Sequence, residues 1–316
     1  MSPEEVQPES LLIVGTGALA TLFAARLGRA GYAVTMLGTW SDGLGALRRG
    51  GARLVDSSGR EQRVHVQAFD DPQACKSAKY ALVLVKSWQT ERAAGQLAAC
   101  LADDGLALTL QNGLGNREIL AARLGHERVA LGSTTTGATL LGPGLAKSGG
   151  EGILSLESHT RLEPLQEALV AAGFQVEVVQ DARALIWSKL IVNSAINPLT
   201  AILRIPNGQL LDRPAARWLL RALAEETAAV AKAEHIKLAS SDPVQLVENV
   251  AMHTASNHSS MFQDVQRGAP TEIDAICGAV TRTGRKHNIP TPMNQACWQL
   301  VQALTQAPVG RVPARA

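Results

Sequence analysis

The sequence has no long apolar run, no basic excess and no cysteine pattern, and each absence removes a class of function. No stretch approaches the roughly 18 uninterrupted apolar residues of a transmembrane helix. The opening MSPEEVQPES is polar and acidic where a secretory signal needs positive charge followed by an apolar core. The expectation is a soluble cytoplasmic protein with no membrane partner. The formal charge is only +2, and no Lys/Arg cluster with interleaved aromatics appears, which argues against nucleic acid as a partner. The four cysteines, Cys75, Cys100, Cys277 and Cys297, show neither CxxC nor Cys/His ligand spacing. They read as reduced, mostly structural thiols with no metal to hold. No internal repeat or low-complexity domain is visible.

What is present is a chain of 316 residues, 46% of them hydrophobic, enough for two domains each with its own core. The apolar run Leu11 to Val14 reads as a strand, Gly15-Thr16-Gly17-Ala18-Leu19-Ala20 as a glycine turn, and Leu22 to Ala30 as an amphipathic helix. Strand, turn and helix in that order are the context of a dinucleotide fingerprint. Gly15 would make the tight turn, Gly17 would admit a pyrophosphate to the backbone, and Ala20 would take the third glycine's place at the helix–strand contact. The phosphates would then meet free N–H groups at a helix N-terminus. A glycine-rich turn with no ligand fits the same residues.

A second strand, Tyr32 to Leu37, ends in Gly38-Thr39-Trp40-Ser41. About 20 residues beyond the glycines an Asp or Glu would hold the ribose hydroxyls of NAD; its absence leans toward NADP. Arg48 and Arg49, in the next helical segment, are within reach of a 2′-phosphate, and they equally fit a solvated helix face. Strand-like runs at Arg53 to Val55, Arg63 to Val66, Tyr80 to Val85 and Leu106 to Leu110 follow, with helical segments at Thr90 to Ala102 and Asn116 to Leu124. Alternating strands and helices predict a Rossmann-type, parallel, doubly wound sheet. Strands at Ala130 to Leu141, Gly152 to Leu156 and Gln175 to Val178 complete this region, with a Pro/Gly/Ser-rich loop from Gly142 to Gly150. Lys86 and Asn112 stand at carboxyl ends of strands, where ligands bind in open α/β sheets. A surface lysine and an Asn-Gly turn are the plainer readings.

From about Asp181 the pattern turns helical: Ala182 to Leu203, Ala215 to His235, Pro243 to Thr254, Thr271 to His287 and Met293 to Leu304. The fold class is therefore α/β, with a dinucleotide-binding domain over residues 1–180 and an all-helical domain over 181–316, ending in a loose tail from Ala307. In the first of these helices Lys189, Asn193 and Asn197 recur at steps of four, placing a cation and two carboxamides along one side of an apolar helix. Pro198 lacks an N–H, leaves a carbonyl near Ser194 unpaired, and bends or ends the helix. A buried helix facing a cavity fits this pattern; so does an ordinary helix with its polar line in solvent.

The segments GTGALA (15–20), VKSWQ (85–89), QNGLGN (111–116), GSTTTGA (132–138), WSKLIVNSAINPLTAI (187–202), PNG (206–208) and NHSSMFQDVQRGAPTEID (257–274) together resemble the ketopantoate reductase (2-dehydropantoate 2-reductase) family. The resemblance spans Leu11 to about Leu304. It implies an active site between the two domains, with NADPH as cofactor and a small 2-oxo acid as substrate. Carried over position by position, Lys189 is similar to the general acid. Asn193, Asn197, Asn207, Asn257 and Ser260 are similar to substrate contacts, Lys189 among them. Gly15, Thr16, Gly17, Ala18, Leu19, Ala20, Lys86, Asn112, Ala138 and Glu272 are similar to cofactor contacts. Thr39 departs from the family, standing where an arginine for the 2′-phosphate is expected.

The residue chemistry agrees with that resemblance. Hydride arriving at a ketone creates an alkoxide, and a lysine ammonium beside it stabilises the charge and donates the proton. Glu272 would act in catalysis by orienting that ammonium or a cofactor hydroxyl; an acid in the first turn of a helix after Thr271 would merely suit the helix dipole. Ser260 would bind a carboxylate or cap its helix. The leading expectation is reduction of 2-dehydropantoate to (R)-pantoate, for pantothenate and CoA biosynthesis, by a protein for which a homodimer is compatible. The alternatives are a reductase of another 2-oxo acid, or an NADP-binding regulatory protein without catalysis. A histidine acid ranks last, because none of the seven has a comparable polar neighbourhood.

Overall fold

A computed structural model describes residues 10–238 and 240–306. The acidic N-terminal segment and the tail expected to be loose from Ala307 lie outside the described residues. In chain order the elements are β1 (Ser10–Val14), α1 (Ala18–Arg29), β2 (Ala33–Leu37), α2 (Ser41–Gly50), β3 (Ala52–Val55), β4 (Glu61–Val64), β5 (Gln67–Phe69) and β6 (Ala78–Val83). Then come α3 (Thr90–Cys100), β7 (Leu101–Thr109), α4 (Asn116–Leu124), β8 (Val129–Thr134), β9 (Ala138–Gly142), β10 (Leu145–Ser148), β11 (Ile153–Glu157), α5 (Glu163–Ala171) and β12 (Gln175–Val179). Helices α6 (Arg183–Leu203), α7 (Pro214–Ala233), α8 (Pro243–His253), α9 (Ser260–Gln266), α10 (Cys277–Lys286) and α11 (Pro292–Thr305) follow. They form two compact units. One runs to Gln111 and resumes over Gly115–Ala182; the other joins Asn112–Leu114 to the residues from Arg183 onward.

The first unit is built on an eight-stranded sheet of order β12-β11-β8-β7-β6-β1-β2-β5. Its strand pairs are parallel except for β11 against β8. β1 shows why both faces must be covered. Leu11 and Ile13 enter a core with α1 and α5, while Leu12 and Val14 enter a second core with α3 and α4. Successive side chains of a strand point to opposite faces, so a run of four apolar residues feeds two cores at once. The sequence shows these strands as unbroken apolar runs for the same reason.

The second sheet departs from the expectation. The strands expected at 53–55 and 63–66 do not extend the parallel sheet; they pair antiparallel with each other as β3 and β4. β3 also pairs with β10, and β10 with β9, giving the order β4-β3-β10-β9. The single strand expected over 130–141 is divided between the two sheets, and the loop expected over 142–150 contains β10. Bending the chain at Thr135–Gly137 carries it from one sheet to the other, and the second sheet packs its apolar side on α1. Short strands with mixed polarity carry too weak a period to be assigned to one sheet or another. β5 and α5 had no expectation; α9 begins at Ser260, where a helix entrance was expected.

The second unit is helical. α6 lies at its centre, with Ser194 through Ala201 buried without interruption and α7, α8, α9 and α11 packed around it. Its core includes Trp187, Leu190, Ile191, Ile196 and Leu199. α8 begins as its sequence indicates: the Asp242 carboxylate accepts from Gln245 N at 2.8 Å and Pro243 stands at the first helical position. α6 runs through Pro198 to Leu203, as the helical run expected over 182–203 indicates, and one boundary differs from expectation. The helix expected from Thr271 begins only at Cys277, so residues 271–276 form a turn. Among the described residues no helix is long and apolar enough to cross a membrane.

Candidate active site

In the first unit the carboxyl ends of β1, β2 and β6 gather the fingerprint residues. Gly15 has φ +134°, and a Cβ there would lie 3.0 Å from the Leu84 carbonyl atoms, so glycine alone fits a turn pressed against the end of β6. This brings Gly15 beside Val85-Lys86. Gly17 caps α1 without a side chain, and a Cβ built on it meets nothing within 4 Å. Open space, no acid in the first turn and the unpaired N–H groups of Ala18, Leu19 and Ala20 suit a phosphate. Thr16 packs against Gly38, at the end of β2.

Beyond Gly38, Thr39 and Ser41 are exposed. Arg48 is committed elsewhere: its Nε donates to Ala68 O at 2.8 Å and its guanidinium pairs with Asp70 at 3.0 Å. Ala138 opens β9, on the second sheet. The backbone just before Lys86 is held by a residue that had no expectation. Gln111 Nε2 donates to Val85 O (3.0 Å) and to Thr90 Oγ1 (2.8 Å), while its Oε1 accepts from Thr109. Asn116 Oδ1 lies 2.8 Å from the same Thr90 hydroxyl. The glutamine's place before Asn-Gly carries no periodic signal that separates it from a loop residue.

The second unit assembles the rest. Asn112, although it follows the end of β7, belongs here and donates from Nδ2 to Glu272 Oε2 at 3.0 Å. Gly113 makes the approach possible: with φ +83°, a Cβ there would lie 2.4 Å from Ala275 O. Leu114 N then donates to Ala275 O at 2.9 Å. Glu272 is buried and stands on the turn before α10, so the reading of it as a first-turn acid for the helix dipole does not hold.

Lys189 is partly buried on α6. Burial disfavours its ammonium and pulls its pKa down to about 8, while the Glu272 charge opposes that fall. A turn further on, Asn193 is partly buried; a turn beyond that, Asn197 is buried.

The remaining expected contacts divide. Asn207 is buried, donating from Nδ2 to Thr254 Oγ1 at 2.9 Å, and its Oδ1 is buried with no hydrogen-bond partner among the described residues. Its N–H donates to Asn257 O at 3.0 Å, which brings those two segments together. Asn257 and Ser260 side chains are exposed. Ser260 does not cap α9: Ser259 does, accepting from Phe262 N at 3.1 Å and sharing a 2.7 Å bond with Thr200.

Comparison with known proteins identifies the family. The model for the ketopantoate reductase PanE/ApbA family matches residues 11–161, and that for its C-terminal part matches residues 181–305. The chain belongs to the ketopantoate reductase family. Within the family it is similar to 2-dehydropantoate 2-reductases of Halobacterium salinarum (34% identical over 92% of this chain and 97% of the relative) and Archaeoglobus fulgidus (36%, 92% and 96%). A crystal structure of a PanE/ApbA family ketopantoate reductase from Ralstonia eutropha matches with TM-score 0.88 at 33% identity, covering 94% of this chain and 98% of that one. The ternary structure of D-mandelate dehydrogenase with NADH and anilino(oxo)acetate also matches with TM-score 0.88, at 25% identity and the same coverage. The chain is thus an oxidoreductase of this family, with an N-terminal α/β domain and a helical C-terminal domain.

Proposed function

We propose that this protein reduces a 2-oxo acid with NADPH, that 2-dehydropantoate is its substrate and (R)-pantoate the product, and that Lys189 is the general acid. The observation that carries the reading is Lys189 itself: a partly buried ammonium brought to a pKa of about 8, under the influence of a carboxylate that Asn112 holds. A bound reduced nicotinamide supplies the hydride. The α1 N-terminus and the space at Gly17 suit its pyrophosphate. Lys189 Nζ stabilises the developing alkoxide and donates its proton to that oxygen. At pH 7 a group with this pKa is about nine-tenths protonated, yet it releases its proton more readily than a solvated lysine. Asn193 and Asn197, each able to donate and accept, suit the carboxylate and hydroxyl oxygens of the substrate.

A second reading keeps the mechanism and changes the substrate and cofactor. The likeness to a D-mandelate dehydrogenase described with NADH and anilino(oxo)acetate favours a bulkier 2-oxo acid, and Thr39 with a committed Arg48 favours NADH. Initial rates of reduced-nicotinamide oxidation separate the two, with 2-dehydropantoate and a panel of 2-oxo acids offered with each cofactor. The proposal expects 2-dehydropantoate with NADPH to give the highest kcat/KM. A bulkier acid ranking first overturns the substrate, NADH ranking first overturns the cofactor, and no oxidation with any pair overturns the reductase reading.

A further inference from the structure

The proline inside α6 removes a helical hydrogen-bond donor. Pro198 has no N–H, so Ser194 O loses its helical donor in a stretch that is buried throughout. A buried carbonyl without a donor is destabilising, and buried carbonyls are nearly always paired. The nearby hydroxyls are engaged. Ser194 Oγ lies 3.2 Å from Ile191 O and 2.8 Å from Thr227 Oγ1, and Thr200 Oγ1 lies 3.0 Å from both Ile196 O and Asn197 O. The donor comes from another helix: Cys277 Sγ lies 3.7 Å from Ser194 O and is fully buried.

Cys277 is tied to the turn that presents Glu272. Ala275 N and Ile276 N both donate to Glu272 O at 3.1 Å, and Gly278 N donates to Ile273 O at 3.0 Å. On the α6 side the acceptor sits next to Asn193 and between it and Asn197. One S–H···O contact therefore joins the irregularity in α6 to the Glu272 turn. We infer that Cys277 is a positioning residue, whose thiol replaces the N–H that Pro198 lacks and so sets the polar line of α6 against Glu272. Burial, with Cys297 and Glu226 nearby, holds the thiol well above its usual pKa, so it keeps the proton it donates. The inference rests on Lys189 acting as the proton donor.

The test compares Cys277→Ala, Cys277→Ser, Pro198→Ala and the Pro198→Ala/Cys277→Ala pair in the full chain. The readouts are kcat, KM, the pH profile of kcat/KM and the Tm. For Cys277→Ala the expected loss in kcat/KM is about fivefold, carried by kcat, with the alkaline limb moved to lower pH as Lys189 loses support from Glu272. Cys277→Ser, which keeps a donor, restores both. In the Pro198→Ala background a helical N–H is available again, so removing the thiol costs less than about twofold. An unchanged limb and kcat/KM in Cys277→Ala, or the same loss with and without Pro198, overturns the inference. If Cys277→Ala does not accumulate, the double variant decides: activity within about twofold of Pro198→Ala supports the inference, and activity lower by more than that, such as about fivefold, overturns it. Lys189→Ala separates the two claims. Full turnover there removes the acid assignment, while coupling in Tm between positions 198 and 277 still reports the thiol contact.

Discussion

Replacing Glu272 by Gln isolates the charge that opposes the fall in Lys189's pKa. The substitution keeps the size of the side chain and an oxygen to accept from Asn112 Nδ2, so the 3.0 Å contact has no reason to break. What disappears is a negative charge acting on a lysine already lowered to about 8 by burial. An opposite charge at close range is worth about 1–3 pKa units, and the partial exposure of Lys189 puts the effect near one unit. The working form is the ammonium, so kcat/KM falls as pH rises through the lysine's pKa. In Glu272→Gln that limb moves down, from near 8 to about 7. At pH 8 the protonated fraction drops from about one half to about one tenth, a loss near fivefold, whereas at pH 6 the two proteins stay close. The assay is kcat/KM for 2-oxo acid reduction from pH 5.5 to 10, about the span needed to define both sides of the limb. A limb that stays in place, or moves up, refutes the reasoning.

Three further outcomes follow from named contacts. Lys189→Met removes the desolvation of a partly buried ammonium. The folded-state pKa lies below the unfolded one, so the lysine's penalty is fully present below about pH 8 and fades as pH rises toward 10.5; Lys189→Met therefore gains about 1–3 kcal/mol at pH 7 in urea unfolding while abolishing turnover. Gly113→Ala puts a Cβ 2.4 Å from Ala275 O at φ +83°, so it costs about 1–3 kcal/mol and lowers kcat through the displaced Asn112 and Glu272, as thermal melts and kinetics would record. Glu248 is held at a pKa of about 2 by hydrogen bonds from Arg217, then Arg221. Its contribution is complete above about pH 4.5 and lost as pH falls toward 2, so Glu248→Gln loses about 2–3 kcal/mol at pH 7 but little at pH 2.5.

Much of this architecture is legible wherever local pattern and tertiary role coincide. β1, α1 and β2 are readable because an apolar run, a glycine turn and an amphipathic run each encode one element. α6 is readable because Lys189, Asn193 and Asn197 obey its period. The second sheet is not, since Arg53 to Val55 and Arg63 to Val66 look alike whichever sheet they join. The bond between Asn112 and Glu272 spans 160 positions and leaves no trace in spacing. Pro198 signals an unpaired carbonyl near Ser194, yet nothing in the chain names Cys277 as its donor. Ser259 and Ser260 are equivalent as letters; only the start of α9 selects Ser259 as the cap.

The most direct measurement is ketopantoate-dependent NADPH oxidation by Lys189→Ala beside the unaltered protein, with NADPH affinity measured by fluorescence on both. The expected result is a fall in kcat of about 10²–10⁴ with cofactor affinity changed less than about twofold. Equal turnover by the two proteins would contradict the account.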